Sequence, residues 1–313
     1  MHAAAINLRG GVSPRNTRLR GQSIIEYVLI IAVIGLVVVF AGPGVAGAIR
    51  NQFNQVTNTV DSGTDGDNFI SAEEKAYREA MKTVASKEAK DWTLDEQKAA
   101  ATDIAKKGTS SVVYAKAKAA MDAGTNWSVK LTNGETIKYR IIGINHDDLA
   151  DGSGKAGLTF EATNSVLGAQ RMNAANSNAG GWEKSELRGR LNSGDLWALL
   201  PAEIQSKAKA VTKTTDNKGG GSAGTPSATT DKVFLLSSTE VWGNLDGDGT
   251  QYEYYKSKGV SASSYSGASS GSYRWTRSVN PSGPQSFRTV YRNGDWRNYY
   301  ATDTYHVFPA FCF

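Results

Sequence analysis

Few residues in this chain are of types that do chemistry: His146 and His306, the single cysteine Cys312, and the acids Asp147, Asp148, Asp246 and Asp248. With His2 in the first 21 residues, the two histidines beyond them cannot furnish a three-histidine metal site, and no His-x-x-x-His pair or phosphate-binding loop accompanies them. A Cys312/His306 couple is no better placed, because on one extended strand a spacing of six leaves about 20 Å between them. Cys312 sits in the apolar run Phe308-Pro-Ala-Phe-Cys-Phe313 and reads as a buried structural thiol. The tract Asn244-Leu-Asp246-Gly-Asp248-Gly-Thr250 gathers carboxylates and carbonyls in one turn, which suits calcium or a tight solvated turn.

A second acidic loop lies at Asp61-Ser-Gly-Thr-Asp65-Gly-Asp67-Asn68-Phe-Ile70-Ser71-Ala-Glu73-Glu74. Its alternation of oxygen donors resembles an EF-hand or dockerin-type calcium loop, with Asp65, Asp67 and Ser71 as ligands and Glu74 closing the site. The first ligand position falls on Gly63 and the turn glycine is replaced by Asn68, so Asp61 enters only through a bulge. The competing reading makes Ser71 a helix N-cap with Glu74 completing a capping box. Calcium is the one cofactor either acidic tract suggests.

The last third is rich in tyrosine and tryptophan. Arg292-Asn-Gly-Asp-Trp296-Arg297-Asn-Tyr299-Tyr300 surrounds an Asn-Gly turn, where aromatic rings are not needed for packing. Arg292, Trp296, Tyr299 and Tyr300 are therefore candidate ligand contacts, the rings stacking on sugars or on partner side chains. With no catalytic constellation beside them, binding is expected rather than catalysis.

The elements that position these residues fall into four stretches. Residues 1–21 carry Arg9, Arg15, Arg18 and Arg20 without an acid, and from Ile24 to Ile49 the only charge is Glu26. An apolar run of that length crosses a bilayer as a helix, with the arginine side kept in the cytoplasm and the body outside. Four of the 35 basic residues lie in that leader, so the formal charge of +5 falls to +1 for the remainder, which gives no sign of nucleic-acid binding. One cysteine excludes an internal disulfide framework.

From Ser71 to Gly124 the Ala/Lys/Glu composition predicts two or three helices, broken near Asp91 by the capping box Thr93-Leu-Asp-Glu96 and ended at Lys107-Gly108. The thin apolar stripe reads as a spacer. At Trp127 the period changes to two, and Val129/Leu131 and Ile137/Tyr139/Ile141 flank Asn133-Gly134 as a hairpin. Helices over Trp182–Asn192 and after Pro201 follow, then a Gly/Ser/Thr-rich loop over 216–230. Strands at 232–236, 273–278, 287–291 and 306–308 complete an α+β head.

Two resemblances join these stretches. Gly21 followed by Gln22, Glu26 and Tyr27 resembles the type IVb prepilins of the Flp/Tad class. It implies cleavage by a prepilin peptidase between Gly21 and Gln22, and pairing of the Glu26 carboxylate with the new Gln22 amine of a neighbouring pilin subunit. The chain is longer than typical members, which points to a large-headed or minor subunit. Gly181-Trp-Glu-Lys-Ser-Glu-Leu-Arg, Asp231-Lys-Val-Phe-Leu-Leu-Ser, Gln251-Tyr-Glu-Tyr-Tyr255, Trp275-Thr-Arg-Ser278 and Pro309-Ala-Phe-Cys-Phe resemble the bacterial DUF6273 family, over about residues 127–313. The late tryptophans and glycine-rich loops extend the likeness distantly to C-type lectin-like domains.

The expected organisation is a leader (1–21), a transmembrane and pilin-assembly helix (22–60), an acidic loop with helical spacer (61–125) and an extracellular head (126–313). The expected function is a surface pilin displaying an adhesive domain toward a glycan or host ligand. A non-polymerising membrane-anchored protein or pseudopilin, and a surface enzyme, are the alternatives.

Overall fold

The computed structural model describes residues 71–313. The apolar segment, Gly21, Gln22, Glu26, Tyr27 and the loop acids Asp61, Asp65 and Asp67 lie outside them. Among the described residues no helix is long and apolar enough to cross a membrane.

Helices α1 (Ala72–Ser86), α2 (Leu94–Lys107) and α3 (Tyr114–Ala123) open the chain where the composition predicts them. The Thr93 box is complete: Thr93 Oγ1 accepts from the Glu96 amide at 3.3 Å and Glu96 accepts from the Thr93 amide at 2.8 Å. Gly108 ends α2 at φ +57°, a conformation that favours glycine.

These helices do not form a detached spacer, and that expectation is corrected. The described residues fall within one unit, and Val84, Trp92, Ala101, Ile104 and Met121 share a core with the head's Trp127, Tyr139 and Phe160. The stripe is thin because it is built of alanines, which let backbones approach closely. A Cβ added at Gly157 would lie 1.8 Å from the Ala101 carbonyl oxygen, so the α2 backbone rests directly on the entry to the head.

The head is mixed α+β. Its first sheet runs in the order β1 (Trp127–Lys130), β2 (Thr136–Ile144), β3 (Leu158–Ala162), β12 (Ala310–Cys312), β7 (Val233–Phe234). The first hairpin turns at Asn133-Gly134, with Val129 opposite Ile137. Strands β3 and β12 are buried throughout; the apolar run at β12 anticipates this, whereas β3 also buries Thr159 and Glu161.

The second sheet runs β10 (Trp296–Tyr300), β9 (Ser286–Val290), β8 (Arg274–Val279), β11 (Tyr305–His306), β4 (Ala169–Gln170). A two-stranded ribbon, β5 (Val211–Thr215) with β6 (Ser227–Asp231), occupies part of the stretch expected to be loop. Short helices α4 (Glu186–Asn192), α5 (Asp195–Leu199), α6 (Ala202–Lys207), α7 (Ser238–Trp242) and α8 (Glu253–Ser257) cover the sheets. Helix α7 opens with a second complete box, Ser237 with Glu240.

Candidate functional site: an aromatic and basic face on the second sheet

The β9/β10 turn is held rigidly. The Tyr291 amide donates to the Asp295 carbonyl at 2.7 Å, and the Trp242 indole donates to the Gly294 carbonyl at 2.9 Å. A side chain at Gly294, which sits at φ +94°, would strike the Tyr265 carbonyl. Ser269 Oγ donates to the Arg292 carbonyl at 2.7 Å, so the backbone that presents Arg292 is fixed.

The period of two along β10 divides the candidate contact residues. Tyr299 faces a tyrosine cluster: its ring lies 4.6 Å from Tyr305, which stacks on Tyr273 at 5.5 Å, and Tyr273 meets Tyr291 edge-on at 4.6 Å. Beneath them Trp275 packs against Tyr305 and Phe287, a gradient from buried to half-buried aromatic surface. Arg292 and Arg297 hold their guanidinium groups 5.6 and 5.4 Å from the Tyr291 ring, within cation–π reach. Arg297 is paired with Asp295, whereas Arg292 makes no carboxylate contact among the described residues. A hydrogen bond with Tyr291 raises the Tyr273 pKa. The same bond and the two arginines lower that of Tyr291.

Trp296 does not join this surface. It packs with the Arg288 guanidinium 4.8 Å from its ring, and Arg288 donates to Asn298 on the same side of the strand. Tyr300, 54% exposed, follows that alternation. The structure thus brings Arg292 and Tyr299 together and separates them from Trp296 and Tyr300. Tyr273, Tyr291 and Tyr305, which the sequence did not single out from the other aromatics of the last third, take their place. The alternation of Arg297 and Tyr299 against Trp296 and Tyr300 was the available signal.

The acids lead elsewhere. Asp246 is taken by Arg288 (2.8 and 2.9 Å) and by Ser238, and Asp248 by Ser278 and the Thr239 amide. No group of three or more His, Cys, Asp or Glu residues able to hold a metal occurs among the described residues. At Asp246 and Asp248 an arginine and two serines thus hold the carboxylate oxygens on which the calcium expectation relies. At the other tract Ser71 Oγ accepts from the Glu74 amide at 3.1 Å as an N-cap, while the Glu74 carboxylate accepts from Arg78.

His146 stacks on Tyr252 at 4.1 Å with Nδ1 3.1 Å from Glu253. Burial depresses its pKa, but Glu253 and Asp147 more than offset this, so it is raised. Asp148 pairs with Lys155 at the surface. His306 and Cys312 belong to different sheets rather than to one strand, and burial pushes the Cys312 thiol well up.

Asp147 lies wholly buried in a cluster the sequence does not announce. Lys213 Nζ is 2.5 Å from its Oδ1 and 2.6 Å from Glu240 Oε1, and Glu240 is held by Arg277. Nearby a second buried cluster joins the sheets, Arg274 of β8 to Glu161 of β3, with Arg140 and Tyr255 attached.

Residues 156–313 match a family model described as a domain of unknown function, DUF6273. Neither the curated proteins nor the solved structures give a match.

Proposed function

The chain belongs to the DUF6273 family, a kinship that brings no ligand with it, and we propose that it is a surface-binding protein, a large-headed or minor pilin of Flp/Tad type. The head takes a glycan on the tyrosine face of the second sheet. The observation that carries this reading is the convergence of Tyr273, Tyr291, Tyr299 and Tyr305 on one side of that sheet, beside an exposed Arg292 free of any carboxylate among the described residues. Rings held edge to edge offer flat apolar area at low entropic cost, and a guanidinium beside them fixes a hydroxyl or an anionic group. Separation of His306 from Cys312 and the raised thiol argue for binding rather than turnover. The finer architecture, a C-type lectin-like head behind a membrane-spanning pilin helix, belongs to the same proposal. It rests on the late tryptophans, the glycine-rich loops and the Gly21 to Tyr27 motif.

Tyr299→Ala is expected to weaken glycan binding about thirtyfold, the effect of losing an aromatic anchor worth about 2 kcal/mol. Trp296→Ala, on the opposite side of β10, is expected to leave binding nearly unchanged. A glycan array probed with the purified chain, followed by titration of the two variants, checks both. Absence of any binding by the wild type removes the adhesive reading.

The assembly half of the proposal has its own measurement. Cleavage between Gly21 and Gln22 gives a surface protein whose intact mass begins at Gln22, and Gly21→Leu is expected to abolish that cleavage. An unchanged mature mass in the variant overturns it.

A further inference from the structure

The buried cluster around Asp147 has the composition of a reaction centre with both reactants inside the protein. Asp147, Lys213 and Glu240 are each at most 4% exposed, and the Lys213 ammonium lies 4.3 Å from the Phe234 ring and 5.3 Å from that of Tyr252. Asp147 Oδ1 faces Lys213 Nζ. Its Oδ2 accepts from Thr159 Oγ1 at 2.5 Å, with Cys312 Sγ at 3.6 Å, and the Tyr252 hydroxyl, which accepts from Lys213 Nζ at 3.0 Å, lies 2.9 Å from Oδ2 and 3.0 Å from Oδ1. Oδ1 is thus set against the amine and Oδ2 against the Thr159 hydroxyl, while the Tyr252 hydroxyl spans both oxygens. Glu240 Oε1, 2.6 Å from the same nitrogen, completes the arrangement.

We propose that Lys213 and Asp147 condense to an intramolecular amide, a covalent bridge from β5 to the loop after β2, with Glu240 as the proton carrier. Lys213 passes one proton to Asp147 Oδ1, giving an amine and a carboxylic acid with no change in net charge. The nitrogen lone pair attacks Asp147 Cγ, and the carbonyl pair moves onto Oδ2, where Thr159 and Tyr252 stabilise it as donors in an oxyanion hole do. Glu240 takes a second proton from the nitrogen and delivers it to the Oδ1 hydroxyl. The Cγ–Oδ1 bond then breaks, Oδ1 departs as water, and the carbonyl re-forms on Oδ2. Ammonium and carboxylate become amide and water, nothing is oxidised or reduced, and Glu240 ends as it began.

Two physical arguments favour the step. Holding the reactants in contact replaces an encounter in solution by an internal one, a large part of the barrier to such a reaction. Burying two ion pairs side by side is also costly. Condensation removes one charge of each sign and leaves Glu240 with Arg277 as a balanced, fully bonded pair. The charged reactants hold one another in place beforehand: despite burial, Asp147 is held low by Lys213, and Lys213 is held high by Asp147 and Glu240.

Mass spectrometry of the purified full chain tests this. Digestion is expected to give a branched peptide joining the Asp147 and Lys213 segments, lighter by one water than the two separate peptides, a result independent of where the mature chain begins. Lys213→Arg is expected to release both segments unlinked. Asp147→Asn offers an independent check, because condensation there expels ammonia instead of water and reaches the same branched product. Recovery of separate Asp147 and Lys213 peptides from folded wild-type protein overturns the proposal and leaves the cluster as an ion pair.

Discussion

Replacing Arg277 by alanine is expected to cost the folded unit about 3–5 kcal/mol, the usual penalty for stripping one partner from a buried ion pair. Arg277 is wholly buried on β8. It donates to Glu240 at 2.5 and 2.8 Å, to Thr215 Oγ1 at 2.7 Å, and to the carbonyls of Leu235 and Thr214 at 2.8 and 3.0 Å. Alanine leaves those acceptors dry and the Glu240 charge short of its main partner. With Lys213 neutralised in an amide, Glu240 has no other cation in contact among the described residues and the loss lies toward the upper end. Against a typical total of about 5–15 kcal/mol, the variant is marginal at best. Arg277→Met, which keeps volume but not charge, is expected to fare little better, whereas adding Glu240→Leu recovers much of the loss. Urea unfolding of the single and double variants measures this, and a single-variant loss below about 1 kcal/mol contradicts the reading of Arg277 as Glu240's obligatory counter-charge.

A fragment beginning at Trp127 is expected to be several kcal/mol less stable than the chain retaining α1 to α3, and to expose apolar surface. The helices cover β2 and β3, and their removal takes partners from named groups. Trp127 Nε1 donates to the Ala89 carbonyl, the Tyr139 hydroxyl to Gln97, and Asn145 to the Ile104 carbonyl. Uncovering Trp127 and Tyr139 alone costs about 3–6 kcal/mol at the usual value for a large side chain returned to water. Thermal unfolding of the fragment beside a form starting at Ser71 distinguishes the outcomes. Equal midpoints make the head self-sufficient and the helical packing incidental.

How far the sequence announced this structure depends on the range of the interaction. Local chemistry was legible: the Thr93/Glu96 box, the turns at Asn133-Gly134 and Asn293-Gly294, and the strand run at Leu158 all form where their residue types require. Elements held by partners distant in sequence were not. The β5/β6 ribbon hides in Thr-rich chain because its inward residues include Lys213 and Asp231, charges that count as buried only once Asp147 and Arg188 are in place. The alanine stripe of α2 and α3 looked too thin for a core because its partner is the close-lying backbone at Gly157 rather than large side chains. For the candidate face, the hairpin put Arg292 and Tyr299 in the right region. Tyr273 and Tyr305 arrive through a parallel pairing of β8 with β11 that no local pattern records.

Strand β12 lies inside the first sheet, between β3 and β7, with Phe311 opposite both Phe160 and Val233. The sheet therefore cannot close until residues 310–313 have arrived, although every other strand of it is available much earlier. Pairings this distant in sequence make for slow folding. Until they form, β3 and β7 present open, apolar edges of the kind that recruit other chains. The yield of folded protein is then set by how long those two edges are shielded from one another's copies, and loss of the last four residues turns a transient hazard into a permanent one.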